Sequence, residues 1–129
     1  MKKVLLGLTV AAVMSLGATE IGENMKNMRD GLIQIQDGFL YNQKSNILAG
    51  ITKVEETNKK LHNKKFIASF LPEAKKGFLN IALISSKSLS SNLAEMREYV
   101  NHDQFTEASS ANAVIVRNCT RCHAVVRGW

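Results

Sequence analysis

The stretch FTEASSANAVIVRNCTRCHAVV, residues 105–126, decides the fold class of this 129-residue chain. Its inner-face residues recur at alternating spacings of three and four, which is the repeat of one face of an α-helix. They are Phe105, Ala108, Asn112, Ile115, Cys119, Cys122 and Val126. Asn112 is a polar exception and needs a hydrogen-bond partner if it is buried. The stretch predicts an amphipathic helix with two cysteines on its inner face.

Three more stripes with the helical period precede this stretch, over residues 21–39, 47–61 and 78–100. A polar turn at 42–46 separates the first two. Residues 62–71 lose the period and are predicted as a connection, and Pro72 suits the first turn of the third helix. Residues 101–103 form a break in which Asp103 is the predicted helix cap. No strand pattern appears, so the sequence predicts an all-α, antiparallel four-helix bundle.

The last helix carries Cys119-Thr-Arg-Cys122-His123, and only seven residues follow Cys122. The C-x-x-C-H pattern is the attachment signature of c-type haem, because two thiols on one helix face can bond the haem vinyl groups beside an axial histidine. A redox dithiol or a disulfide remains an alternative. A zinc site needs about four ligands. The chain has only two cysteines, and His62 and His102 show no paired spacing. We therefore expect one covalently attached haem c, with His123 as the proximal iron ligand.

The first 18 residues have the organisation of a secretory signal peptide, with Lys2 and Lys3 ahead of an apolar run over 4–16. Cleavage is expected after Gly17 or Ala18. An uncleaved anchor is the alternative, although the run is shorter than the roughly 20 residues that span a bilayer. The expected products are a leader, 1–18, and one haem domain, 19–129. Covalent haem attachment takes place outside the bacterial inner membrane, so export and the haem motif both point to the periplasm.

The charge of the chain is mildly basic. Seventeen Lys and Arg against eleven Asp and Glu give +6, which becomes +4 without Lys2 and Lys3. A solvated basic surface is the simplest interpretation of this charge. The alternative is a surface that suits acidic periplasmic redox proteins as partners, an attraction that haem propionates would partly offset. The charge is scattered along the chain, so no nucleic-acid surface is predicted. No stable membrane span is expected after cleavage. Candidate contact residues for a homodimer are the apolar side chains expected on the outside of the first helix: Ile33, Leu40 and Tyr41.

Four helices, one haem and the attachment motif on the last helix resemble the class II cytochromes c, the cytochrome c′ family. The resemblance covers the whole mature chain in architecture, and in sequence it is strong over about residues 112–127. Arg127 matches the basic residue that this family places four positions after the ligating histidine. Val126 departs from the aromatic residue usual just before it, and Ile21 stands where the family often has an arginine.

The resemblance makes the distal residue decisive for function. Met25 corresponds to the distal position of the family's first helix. Low-spin members ligate iron there with a methionine and transfer electrons, whereas high-spin members leave the site open and bind small gases. We expect His123 and Met25 as axial ligands of an electron carrier. The alternatives are ligation by Met28, or no methionine ligand and a gas-binding protein.

No enzymatic turnover is predicted. The sequence contains no pattern of a hydrolytic triad or of paired catalytic carboxylates. A peroxidase-like activity is disfavoured, because no distal histidine or arginine is evident.

Overall fold

The computed structural model describes the backbone of residues 9–128 and the side chains of residues 20–128. Five α-helices, named α1 to α5, follow one another: Thr9–Leu40, Lys44–Asn58, Lys64–Phe70, Leu79–Asn101 and Phe105–Val126. Two 3-10 helices, Lys59–His62 and Glu73–Phe78, precede α3 and α4. Residues 9–128 contain no strand, which confirms the predicted all-α class.

The apolar stripes of the four long helices pack together into the main core. Helix α1 lies along α2, α4 lies along α5, and α2 also contacts α4. Residues with at most 1% of their surface exposed come from all four: Ile35, Ile47, Ile51, Val54, Leu93, Met96, Val100, Ala108 and Ile115. Burial of each large apolar side chain contributes about 1.5–3 kcal/mol, so these stripes supply the main stabilisation of the fold.

Helices α1 and α2 touch backbone to backbone where two glycines meet. A Cβ atom added at Gly50 would lie 2.6 Å from the carbonyl oxygen of Gly31, and one added at Gly31 would lie 2.6 Å from Cγ2 of Val54. A real Cβ atom does not approach a backbone atom as closely as 2.6 Å, so the crossing requires glycine at position 50. At Gly31 the nearest backbone atom, the carbonyl oxygen of Gly50, would lie 3.1 Å from an added Cβ, which is a tight contact. The two helices run antiparallel, because Gly38 lies beside Ile47 at one end of the pair.

A second, smaller core cluster joins α3 to the ends of α4 and α5. Ile67, Leu71 and Ala82 are buried there, with Cys122 and Val126 packed against them. Asn63 explains why α3 forms, since its Oδ1 accepts hydrogen bonds from the backbone N–H groups of residues 65 and 66, at 2.9 and 3.3 Å. The cluster therefore fixes the C-terminal part of α5 against the middle of the chain.

Two sequence predictions about the connections are wrong. Residues 64–70 form helix α3 rather than an irregular connection. The helix is too short to show an apolar period in the sequence, and it is stabilised by the cap at Asn63 instead. Asp103 does not cap α5. It has a φ of 59°, its carboxylate pairs with Lys44 Nζ at 2.6 Å, and Gln104 stands at the cap position. The third predicted helix becomes α-helical at Leu79, after the 3-10 helix that follows Pro72.

The predicted leader lies largely outside what the structure describes. Residues 1–8 are not described, and residues 9–18 form the first turns of α1 without described side chains. Helix α1 continues through both expected cleavage bonds, and cleavage itself stays a prediction. Among the described residues, no helix combines the length and the apolarity that a membrane crossing needs.

The glycine contact predicts a specific sensitivity. We expect Gly50→Ala to lower the free energy of unfolding by about 1–2 kcal/mol, because overpacking at the crossing outweighs the gain in helix propensity of about 1 kcal/mol. Gly22→Ala is the matched control, since a Cβ there meets no atom within 4 Å. It should raise stability by about 0.5–1 kcal/mol. Chemical denaturation followed by circular dichroism measures both, and equal effects of the two variants would contradict the proposed contact.

Candidate functional site

A cavity of about 250 Å³ lies between the main core and the smaller cluster. Its walls are almost entirely apolar and come from α1, α2, the turn after α2, α4 and α5. The residues of the first three are Met25, Met28, Arg29, Leu32, Asn58 and Leu61. Those of α4 and α5 are Ala82, Ser85, Ser86, Leu89, Asn118, Cys119, Cys122 and His123. The cavity thus brings together four of the five predicted site residues.

Helix α5 presents both cysteines and His123 to this cavity. The stripe that buries Ala108 and Ile115 continues through Cys119 and Cys122, which are half-buried free thiols. Asn118 ties this part of α5 to α4, because its Nδ2 donates a hydrogen bond to the carbonyl oxygen of Ser85 at 2.9 Å. The two thiols and the imidazole therefore face one space from a well-anchored helix.

Helix α1 contributes a thioether wall. Met25 and Met28 lie one turn apart and both line the cavity, as does Leu32 one turn further on. Met28 is buried, whereas Met25 is half-buried and packs against the edge of the main core. Because both methionines line the cavity, their positions do not show which of them would ligate iron. The choice of Met25 as the ligand therefore stays a prediction.

The environment of the thiols disfavours a reactive dithiol. Burial raises the pKa of Cys119, and the neighbouring Cys122 raises it further. Burial also raises the pKa of Cys122, against a smaller opposing effect of a hydrogen bond with Ser85. Redox-active thiols have lowered pKa values and often lie at helix N-termini. These two lie in the last turns of a 22-residue helix, where the helix dipole disfavours a thiolate.

The surroundings of His123 disfavour a charged imidazole. Burial lowers the pKa of its imidazole, and the positive charge of Arg127 lowers it further. Both effects favour the uncharged ring, which keeps a nitrogen lone pair. The backbone carbonyl of His123 accepts hydrogen bonds from the N–H groups of Arg127, at 2.8 Å, and of Gly128, at 3.2 Å. These bonds close the last turn of α5 around the histidine.

Arg127 is the predicted site residue that the structure leaves out of the cavity wall. It is exposed at the C-terminal cap of α5 and acts on His123 through its charge. Lys75, in the 3-10 helix that precedes α4, also binds the end of α5. Its Nζ donates a hydrogen bond to the carbonyl oxygen of Val125 at 3.1 Å.

Asn58 is a site residue that sequence reasoning missed. It has no exposed surface and lines the cavity at the end of α2. A signal was present in the sequence, because residue 58 continues the alternating spacing of Ile47, Ile51, Val54 and Leu61 with a polar side chain. Asn112, which was singled out, has a buried Oδ1 with no hydrogen-bond partner among the described residues, and it does not line the cavity.

The protein alone does not assemble a multidentate metal site in the described part of the chain. No group of three or more His, Cys, Asp or Glu side chains is placed to hold a metal ion there. In comparisons with known proteins, no family model, curated protein or solved structure matches this chain.

Proposed function

We propose that this chain is an exported c-type cytochrome that carries single electrons through one covalently bound haem c. The observation that carries the proposal is the convergence of Met25, Cys119, Cys122 and His123 on one apolar cavity. Three of these residues come from the attachment motif, and the fourth lies about one hundred residues earlier in the sequence. Bound haem iron supplies a one-electron couple between its ferric and ferrous states.

The donor set of the cavity suits a haem. Cys119 and Cys122 offer two thiols for thioether bonds from adjacent turns of α5, and His123 offers a neutral nitrogen ligand. The apolar walls exclude water from the face of a macrocycle and accommodate its hydrophobic edge. The four long helices would then form the predicted four-helix bundle around the group, with the attachment residues on its last helix.

Met25 is the proposed second axial ligand. A thioether is a neutral, polarisable donor, and ligation by Met and His is typical of electron-transfer cytochromes with raised potentials. The charge of Arg127 lowers the proton affinity of the neighbouring imidazole. By the same electrostatic effect it would make the His123 imidazole a slightly weaker donor to iron.

A gas-binding protein is the second candidate. The wall formed by Met25, Met28 and Leu32 is apolar, and such a wall admits small neutral gases to an open iron position if no methionine ligates. The two candidates share the cavity and the attachment residues, and they differ only in whether a methionine occupies the distal ligand position.

The proposed location and partners follow from the sequence predictions. We place the mature domain in the periplasm, where acidic redox proteins would meet its mildly basic surface. The homodimer contact stays a proposal. Ile33, Leu40 and Tyr41 are exposed, with 50%, 69% and 71% of their surface accessible.

The attachment residues give the first test. After periplasmic expression with working haem-attachment machinery, the wild-type protein should retain haem on a denaturing gel, detected by a haem stain. A variant with Cys119→Ser and Cys122→Ser should lose the stained band, because no thiol remains to bond the haem. Thr120→Ser, at an exposed position between the cysteines, should keep it. An unstained wild-type band would refute the proposed function.

The two methionines give the second test. We expect Met25→Ala to convert a low-spin absorption spectrum to a high-spin one and to open the iron to carbon monoxide, because the axial thioether is lost. Met28→Ala, which removes a thioether from the same wall, should leave the spectrum low-spin. A wild-type protein that is already high-spin and takes up carbon monoxide would favour the gas-binding candidate instead.

A further inference from the structure

The charges of this chain are divided unevenly between its segments, although no single segment is a dense basic run. Residues 59–87 and 113–128 together contain ten Lys and Arg side chains and only one acidic side chain, Glu73. Residues 20–58 and 88–112 contain five Lys and Arg side chains and ten Asp and Glu side chains. The first group therefore has a net charge of +9, and the second has a net charge of −5.

The fold brings the two basic segments together. Asn118 Nδ2 donates a hydrogen bond to the carbonyl oxygen of Ser85 at 2.9 Å, and Lys75 Nζ donates one to the carbonyl oxygen of Val125 at 3.1 Å. Both hydrogen bonds join the region around the start of α4 to the second half of α5. The positive charge that is spread along the sequence is therefore concentrated at one end of the folded chain.

Exposed apolar side chains lie beside this junction. Ile81 and Ile84 are three residues apart on one side of α4 and have 43% and 63% of their surface accessible. Val114, with 36% accessible, extends the apolar surface along α5. Ser85 directly follows Ile84, and Asn118 lies one turn after Val114. Because Asn118 bonds Ser85, the exposed apolar residues of the two helices lie along the same seam.

Three cations surround these apolar residues. Lys87 lies one turn after Ile84 on α4, and Arg117 and Arg121 follow Val114 along the same side of α5. All three are exposed. Within residues 20–128, no carboxylate lies at ion-pair distance from any of the three, whereas several cations on other helices are paired. We call the surface made by these apolar residues and cations the α4–α5 face.

We propose that the α4–α5 face is the docking surface for an acidic redox protein. Ile81 and Ile84 form the apolar centre of the contact, and the three cations form its rim. An apolar centre with a polar rim is typical of protein interfaces, and contacts between redox proteins are small. Rim charges of one sign steer a partner of the opposite sign into contact. The redox character of the partner rests on the proposed function, because the inner side of the same part of α5 carries the attachment cysteines.

The charge and the shape of the face favour an acidic protein over two other occupants. A symmetric pair of copies of this chain would bring like charges together. An anionic lipid surface would attract the same cations, but interfacial helices bury a continuous apolar side in the bilayer. The exposed side of α4 continues after Ile84 with Lys87, Ser88 and Ser91, so its apolar part is a single turn.

The affinity of the haem-loaded protein for plant-type ferredoxin, a small acidic redox protein, tests the proposal. Isothermal titration calorimetry gives the dissociation constant at low and at physiological ionic strength. We expect ferredoxin to bind at low ionic strength and to bind more weakly as salt is added, because salt screens exposed charges.

Two charge-reversed variants separate the face from the net charge of the chain. Lys87→Glu combined with Arg117→Glu should raise the dissociation constant by about tenfold, because two rim charges then repel the probe. Lys26→Glu combined with Lys53→Glu is the matched control, since it changes the net charge equally but on α1 and α2. It should raise the dissociation constant by less than about threefold.

A second pair of variants tests the apolar centre at unchanged charge. Ile84→Ser removes an exposed apolar side chain from the centre of the contact and should raise the dissociation constant by about threefold. Ile33→Ser is the control, because Ile33 is 50% exposed on α1 and lies outside the face. It should leave the dissociation constant unchanged. Circular dichroism verifies that all variants keep the helical fold.

The outcomes distinguish the docking face from the proposed function. A missing haem stain refutes the function. Calorimetry refutes the docking face alone if the wild type does not bind ferredoxin, if both charge-reversed variants weaken binding equally, or if Ile84→Ser has no effect. Two results would assign the face to another occupant. One is cosedimentation with vesicles of phosphatidylcholine and phosphatidylglycerol that is lost in Lys87→Glu with Arg117→Glu, and the other is a dimer in sedimentation equilibrium that this variant abolishes.

Discussion

The backbone contact between Gly31 and Gly50 sets the position of the whole N-terminal half. Because neither residue has a side chain, α1 and α2 approach until main-chain atoms touch, and this fixes their antiparallel register. Two turns before Gly31 along α1 comes Met25, and two turns after Gly50 along α2 comes Asn58. Both therefore reach the same level of the helix pair. The Glu20–Lys60 ion pair, at 3.3 Å, follows the same register near the end.

The C-terminal half is fixed by a different kind of contact. Asn118 bonds the Ser85 carbonyl and Asn58 bonds the Ser86 carbonyl, so two amides hold successive residues of α4 at the cavity. Hydrogen bonds are directional and specify register more sharply than apolar packing does. The wall that carries the methionine thioethers is therefore positioned by the glycine contact between α1 and α2. The wall that carries the cysteine thiols is positioned by hydrogen bonds from amide side chains. The two walls are linked through Asn58, which belongs to α2 and bonds α4.

The long helices could be predicted because their apolar residues repeat with the helical period. Features that depend on a single contact were not predicted. The stripes of α1, α4 and α5 are long enough for their period to identify the helices and their buried faces. Helix α3 is seven residues long and is stabilised by one cap at Asn63, which no period can indicate. Similarly, Asp103 reads as a cap in sequence, but in the structure it pairs with Lys44, a residue from another helix.

The candidate site shows the same division. Cys119, Cys122 and His123 could be predicted because their chemistry lies in local spacing, and their place on the inner stripe of α5 followed from its period. That Met25 faces the same cavity depends on how four helices pack, and its role as a ligand was expected only from the family resemblance. Asn58 required knowledge of which stripe position faces the cavity and which faces the core.

The composition of the cavity wall affects which oxidation state of a bound redox group is favoured. Among the described residues that line the cavity there is no carboxylate, the thioethers are neutral, and burial lowers the pKa of His123. Of the described wall residues, Arg29 alone carries a permanent charge, and it is largely exposed and paired with Asp30. A low-polarity site with neutral donors disfavours added positive charge. If a haem binds there as proposed, such a wall would favour its ferrous state over its ferric state.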